Sequence, residues 1–410
     1  MGNQIINGGV TAVPGFLASG IHVGVKKANL TKRDIALIYS QVPAVAAGVF
    51  TTNKVQAAPV LVSREHLQGG MVQAVIANSG NANACTGEQG LGDARNMACA
   101  TAAALGLKPE QIIVASTGVI GVPMPMEVVL PGIKQAAVAL STTGGPQAAE
   151  AIMTTDTFAK EIAIHVNLGG TQITIGAIAK GSGMIHPNMA TMLAFVTTDA
   201  VIDQAALQHA VNKATEKSFN MITVDGDTST NDMLVVMANG LAANPPLTLE
   251  SPYFTKFLEA LEYVCIEMAK AIARDGEGAT KLVEIQVRGA KTDQDAQKAA
   301  ITVAKSSLVK TAIFGSDANW GRILAAVGYS GADFNPNVIN LYLQDQPGEL
   351  IEQMMAQGAP LVFNEQKAKR ILDGKYIIIR VDLKQGTAQA TAWGCDLTYE
   401  YVKINADYRT

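Results

Sequence analysis

Two β-rich runs, EIAIHVNL and TQITIGAIA, flank the pair Gly169-Gly170. Adjacent glycines supply the positive backbone angles of a tight hairpin, so this stretch predicts two antiparallel neighbours in a sheet. The second run ends at Lys180 and feeds directly into GSGMIHPNMATMLAF, Gly181 to Phe195. Whatever the rest of the chain does, a lysine, a glycine loop and the pair Ala190-Thr191 are delivered to one end of a sheet.

Other segments read as alternating strands and helices, which makes the fold class α/β. MVQAVIAN (Met71 to Asn78) is a buried strand running into the loop SGNANACTG, and QIIVA (Gln111 to Ala115) is another, leading into STGVIGVP. Helical patterns cover Asp93 to Leu105, stopping at Gly106, and Met126 to Leu140, which Pro131 is expected to kink or split. MLAFV after Thr191 is a third buried strand, and a helix from Ala205 to Phe219 precedes NMITVDGDTSTND. The clearest helix is Phe254 to Ala273, where Phe254, Phe257, Leu258, Leu261, Val264, Cys265, Met268 and Ile272 recur at helical spacing. It stops at DGEG, placing Glu277 in a helix-to-strand loop before KLVEIQVRG. Beyond a soft boundary near 290, strands (AAITVAK, NVINLYL, KYIIIRVDL, TAQATAW, LTYEYVKI) alternate with helices near Gly321 to Val327, Gly348 to Gln357 and Asn364 to Leu372. Residues 291–410 are therefore expected to form a second, smaller α/β domain.

Composition narrows the partners. With 31 basic and 35 acidic residues, a net charge of -4 and no basic cluster, nucleic acid is not an expected partner. The most apolar stretch, IALIYSQVPAVAAGVF, is interrupted by Ser40, Gln41 and Pro43, so no membrane span is expected. The opening MGNQIINGGVTAVPGF has neither the basic start nor the apolar run of a secretion signal. Cys85, Cys99, Cys265 and Cys395 are far apart without CxxC spacing and read as small buried hydrophobes, which suits a cytoplasmic location.

The glycine loops match neither phosphate-binding pattern, GxGxxG or GxxxxGK[ST]. The five histidines are scattered without HExxH, so no metal is expected, and His186 reads as a loop residue. No GxSxG elbow anchors a serine triad. Threonine chemistry remains. A threonine hydroxyl needs a base, and its own α-amine is one if the residue is an N-terminus. Attack of the Thr191 hydroxyl on the Ala190 carbonyl, an amide-to-ester shift and hydrolysis would create it. Ala190 is small, Gly181 and Gly183 allow unusual backbone, and Pro187 stiffens the approach. The competing reading is that Thr191 merely opens a strand.

The segment KGSGMIHPNMATMLAF resembles the autoproteolysis site of the ornithine acetyltransferases, also called glutamate N-acetyltransferases, of arginine biosynthesis, and the resemblance runs over nearly the whole chain. It implies cleavage between Ala190 and Thr191 into an α chain (1–190) and a β chain (191–410), assembled as an α2β2 heterotetramer. It also implies Thr191 as nucleophile, with the Thr117 hydroxyl and Gly118 N–H of the STG segment as oxyanion hole. Substrate-binding positions carried over are Thr154 in MTTDT, Lys180, Thr191, Glu277 in RDGEG, and Asn405 and Thr410 in the tail. The implied fold is a layered α-β-β-α sandwich similar to N-terminal-nucleophile hydrolases but differently connected. The implied reaction moves acetyl from N-acetylornithine to glutamate through acetyl-Thr191, in ping-pong order and without a cofactor; some members also take acetyl from acetyl-CoA. The alternatives are an N-terminal-nucleophile amidohydrolase or aminopeptidase, where water resolves the acyl-enzyme, and a non-catalytic binding protein, which needs no cleavage.

Overall fold

A computed structural model describes residues 3–26, 31–186, 192–346 and 348–407. Nine strands form the first sheet: β1 (Gln4–Ile6), β2 (Phe16–Ile21), β3 (Ile35–Phe50), β4 (Met71–Asn81), β5 (Ile112–Val119), β6 (Lys160–Leu168), β7 (Thr171–Lys180), β8 (Leu193–Thr198) and β9 (Met233–Ala238). Their order is β1-β6-β7-β8-β9-β3-β4-β5, with β2 also on β3. The long strand β3 makes this one sheet serve as two layers. Its first part pairs with β2 and β4 (Ile35↔Asn78), while its second part pairs with β9 (Val45↔Ala238).

Period-2 alternation then sorts side chains to the two faces of each layer. On β5, Ile113 and Ala115 point into a core shared with Leu193 and Phe195 of β8, whereas Ile112 and Val114 point outward. The outward set packs on α1 (Ala58–Leu67), α2 (Gly87–Leu105) and α3 (Met126–Val138) through Val62, Met97 and Ile133; α4 (Gly145–Ala151) lies against β2. On the other side Ala194 and Val196 face α5 (Gln204–Lys217) and α6 (Phe254–Arg274), whose Leu207, Phe257 and Leu261 are buried. Burying one such Leu or Phe contributes about 1.5–3 kcal/mol. The result is a helix-sheet-sheet-helix stack, the layer order that the resemblance implied.

The second sheet has six strands: β10 (Leu282–Ala290), β11 (Asn340–Asp345), β12 (Ile351–Ala356), β13 (Ala359–Pro360), β14 (Tyr376–Asp382) and β15 (Ala388–Cys395), in the order β13-β12-β11-β14-β10-β15. With it go α7 (Asp293–Lys305), α8 (Ser307–Phe314), α9 (Trp320–Gly328), α10 (Glu365–Leu372) and the terminal α11 (Tyr399–Asp407). Residues 282–290 thus belong to this sheet, and its apolar face is continuous with the core around α6.

The β6–β7 hairpin forms as expected, with Leu168 opposite Thr171 and φ of 62° and 99° at Gly169 and Gly170. Several expectations are corrected. AAITVAK lies in helix α7, because Ala296, Ala299, Ala300 and Val303 bury a helical stripe and Thr292 caps the start through the Asp295 N–H. LTYEYVKI is mostly α11, whose alternation is unused since the helix buries no residue fully. The stretch 348–357 contains strand β12, which pairs with β11, rather than a helix. Helix α3 runs unbroken across Pro131. Cys85 and Cys99 are exposed, and only Cys265 and Cys395 are buried. Among the described residues no helix is long and apolar enough to cross a membrane.

Candidate active site

The parallel strands β4 and β5 end side by side, with Ser79 opposite Thr117 and Gly80 opposite Gly118. The approach is so close that a β-carbon on Gly118 would lie 2.3 Å from the Gly80 carbonyl carbon, and φ there is +136°. Only glycine fits. Ser116 Oγ donates to Asn78 Oδ1 at 2.6 Å, and Asn231 Nδ2 donates to the carbonyls of Ser116 (2.8 Å) and Ala82 (2.6 Å). These bonds fix the strand end that carries Thr117 and Gly118.

Lys180 closes β7 on the opposite side, with its side chain buried. Its ammonium donates to Thr154 Oγ1 at 2.9 Å and, weakly, to Thr117 Oγ1 at 3.5 Å. Burial pulls its pKa below the ordinary lysine range; Asp156 is the strongest opposing influence. Asp156 itself is held down to about 2, because attraction to Lys180 and Lys160 and hydrogen bonds from Lys160 and the Gly181 N–H outweigh its burial.

Glu277 follows α6, and its N–H donates to the Ser182 carbonyl at 3.0 Å. Its carboxylate occupies the space above Gly183, where a β-carbon would approach within 2.4 Å. Asn405, on α11, donates from Nδ2 to Glu277 Oε2 at 2.8 Å and to the Tyr401 carbonyl at 3.0 Å.

The chain on either side of residues 187–191 is anchored by one polar segment. Asp225 accepts the N–H groups of Met184 (2.6 Å) and Ile185 (2.9 Å), and the Tyr401 hydroxyl donates to it at 3.3 Å. Asp232 accepts the Met192 N–H at 2.8 Å. His186 Nδ1 contacts Thr223 Oγ1 at 3.2 Å, and burial followed by the Lys305 charge lowers its pKa to about 4, so the ring is neutral near pH 7.

Thr117, Gly118, Thr154, Lys180, Glu277 and Asn405 all line one pocket, together with Gly183, Met184, Ser229, Thr230 and Asn231. Six residues singled out in sequence thus come together from five parts of the chain. Ala190, Thr191 and Thr410 lie outside the described residues. Arg274, a conceivable counter-charge for an acidic substrate, is exposed and does not line the pocket. Asp156, Asp225, Asn231 and Asp232 were not singled out. Their signal was present: Asp156 lies in MTTDT beside Thr154, and NMITVDGDTSTND is a dense polar run in a chain only 16% charged.

A profile of the ArgJ family matches residues 17–410. The chain belongs to the ArgJ family. It is 59% identical over 403 residues to the arginine biosynthesis bifunctional protein ArgJ of Symbiobacterium thermophilum, covering 98% of this chain and 99% of that one. With the protein of the same name from Caldanaerobacter subterraneus it shares 53% over 407 residues, covering 99% of this chain and 100% of that one. Among solved structures, the arginine biosynthesis bifunctional protein argJ of Bacillus halodurans matches with a TM-score of 0.50 and 51% identity, over 52% of this chain and 98% of that chain. Membership of the ArgJ family agrees with the resemblance drawn from the KGSGMIHPNMATMLAF motif, and it places the chain among the enzymes of arginine biosynthesis.

Proposed function

We propose that the enzyme transfers acetyl from N-acetylornithine to glutamate through Thr191, freed as an N-terminus by cleavage after Ala190. The observation that carries this is a buried cation, Lys180, and a buried carboxylate, Glu277, lining the same pocket as the Thr117–Gly118 strand end. An amino acid with an α-carboxylate and a side-chain ammonium complements that pair: Lys180 takes the carboxylate and Glu277, steadied by Asn405, takes the ammonium. Thr410 is assigned to the substrate by the family resemblance alone.

In the first half-reaction the Thr191 hydroxyl attacks the acetyl carbonyl and its proton passes to the Thr191 amine. The Thr117 hydroxyl and Gly118 N–H stabilise the oxyanion. The C–N bond then breaks, ornithine leaves with the proton on its amine, and an acetyl ester remains on Thr191. In the second, the glutamate amine attacks that ester, and N-acetylglutamate leaves as the hydroxyl regains its proton. The acetyl group rides on the protein, so the transfer needs no cofactor; acetyl-CoA is the second donor in this reading. The assembly is an α2β2 heterotetramer in the cytoplasm.

Intact-mass measurement of purified protein tests the nucleophile. Two chains, meeting at Ala190 and Thr191, are expected, with one acetyl group on the second chain after exposure to N-acetylornithine. A single 42.9 kDa species that is nonetheless active would end the proposal. Product analysis with and without glutamate separates transfer from hydrolysis: acetate in place of N-acetylglutamate identifies an amidohydrolase.

A further inference from the structure

Behind Lys180 lie three buried side chains that the transfer does not use. Lys160, at the start of β6, places Nζ 2.7 Å from Asp156 Oδ1 and 2.5 Å from Asp275 Oδ2, and all three side chains are at most 2% exposed. Asp275 is also gripped by the Thr157 hydroxyl and by its N–H at 3.0 Å, while its carbonyl accepts Ser182 Oγ at 2.6 Å. Asp156 is the hub. Oδ1 also accepts the Gly181 N–H at 2.7 Å; Oδ2 accepts the Thr154 N–H at 3.1 Å and faces Lys180 Nζ at 3.9 Å. One carboxylate therefore holds the residue after Lys180, the backbone of the threonine that receives its ammonium, and the opposing charge.

The spacing matters. A buried ammonium whose hydrogen bonds go to two neutral hydroxyls tends to lose its proton unless negative charge stands near. A carboxylate in direct contact would supply that charge but consume the donor a ligand needs. Here Lys160 engages both aspartates at hydrogen-bond distance, and Asp156 is left 3.9 Å from Lys180. We infer that Asp156, braced by Lys160 and Asp275, is a positioning residue that keeps Lys180 cationic and free to meet a carboxylate, and so sets the preference for substrates bearing one. This rests on the reading of Lys180 as the carboxylate partner. The charged groups acting on Lys180 are Asp156, Asp232 and Glu277, which favour its cationic form, and Lys160, which opposes it.

The test compares N-acetylornithine with its carboxamide analogue on the mature enzyme as a function of pH. Wild type should prefer the carboxylate, with the preference lost as pH rises and Lys180 deprotonates. Asp156→Asn leaves the Lys160–Asp275 pair in place. It should raise KM for the carboxylate about tenfold or more with kcat changed far less, and move the pH step downward. Lys160→Gln removes an opposing cation, so its step should move upward. Opposite shifts are not what general damage to the pocket produces, and either variant alone is informative if the other fails to fold. Asp156→Asn with wild-type preference and pH step, or Lys160→Gln with a downward step, overturns the inference. A wild-type enzyme indifferent to the amide overturns the reading of Lys180, and this inference with it.

Discussion

Asp232 accepts the backbone N–H of Met192 at 2.8 Å, while its other carboxylate oxygen is buried and has no hydrogen-bond partner among the described residues. Met192 follows Thr191 in the chain, so this carboxyl fixes the amide on the far side of the proposed nucleophile. Burial raises the Asp232 pKa well above the ordinary carboxylate range, with the Met192 N–H bond and the Lys180 charge opposing it.

From this, Asp232→Ala should slow appearance of the Thr191 N-terminus, because a buried N–H left without an acceptor costs about 1–3 kcal/mol. Asp232→Asn keeps an acceptor for the Met192 N–H, so it should be affected less. A time course of intact mass after expression ranks the two. Equal, wild-type maturation of both would remove the anchor from the processing step.

Gly183→Ala should raise KM for N-acetylornithine with little change in melting temperature. The added β-carbon would meet the Glu277 carboxylate at 2.4 Å, and the flexible acid must move, taking its bond with Asn405 along. Because φ at Gly183 is not in the left-handed region, backbone strain is not part of the effect. An unchanged KM would show that Glu277 does not need its present position.

Thr117→Ala should lower kcat by about 10²–10³, the usual cost of one oxyanion donor. Ser116 and Asn231 continue to hold the strand end in this variant, so the loss should fall on kcat rather than on stability. Single-turnover acetylation of Thr191 measures the step directly. Near-wild-type acetylation would place the oxyanion donors elsewhere.

Acid stability should depend on Asp156. Its pKa is 3.8 as a free side chain and about 2 in the fold. A depressed carboxylate pKa contributes stability that is complete above the unfolded value and is lost as pH falls through the folded one. The loss therefore belongs to the window from about pH 4 to pH 2, and amounts to about 2 kcal/mol. Melting curves across that window should fall more steeply for wild type than for Asp156→Asn. Parallel curves would show that the charge of Asp156 is not coupled to folding.

Where a local signal was strong, the sequence was enough to place an element. Gly169-Gly170 between two β-rich runs dictates the hairpin that ends at Lys180, and the apolar stripe from Phe254 to Ile272 dictates α6 and so the loop carrying Glu277. Both depend on residues a few positions apart, whose hydrogen-bonding period the side chains themselves select. Where signals were weak, packing decided. The β-branched run of AAITVAK became helical because its alanines pack on β10 and β15, and LTYEYVKI became a helix carrying Tyr401 and Asn405, one turn apart, to Asp225 and Glu277. The pocket was legible only as separate motifs. Lys160 reaches Asp275 across 115 positions, and Asn231 reaches the Ser116 carbonyl across another 115. Contacts of that span leave no periodic trace in a single chain. They exist because β3 pairs with both β4 and β9 and so joins two layers in one sheet, and the ends of β5 and β7 meet at one pocket, where buried charges must find partners or lose their protons.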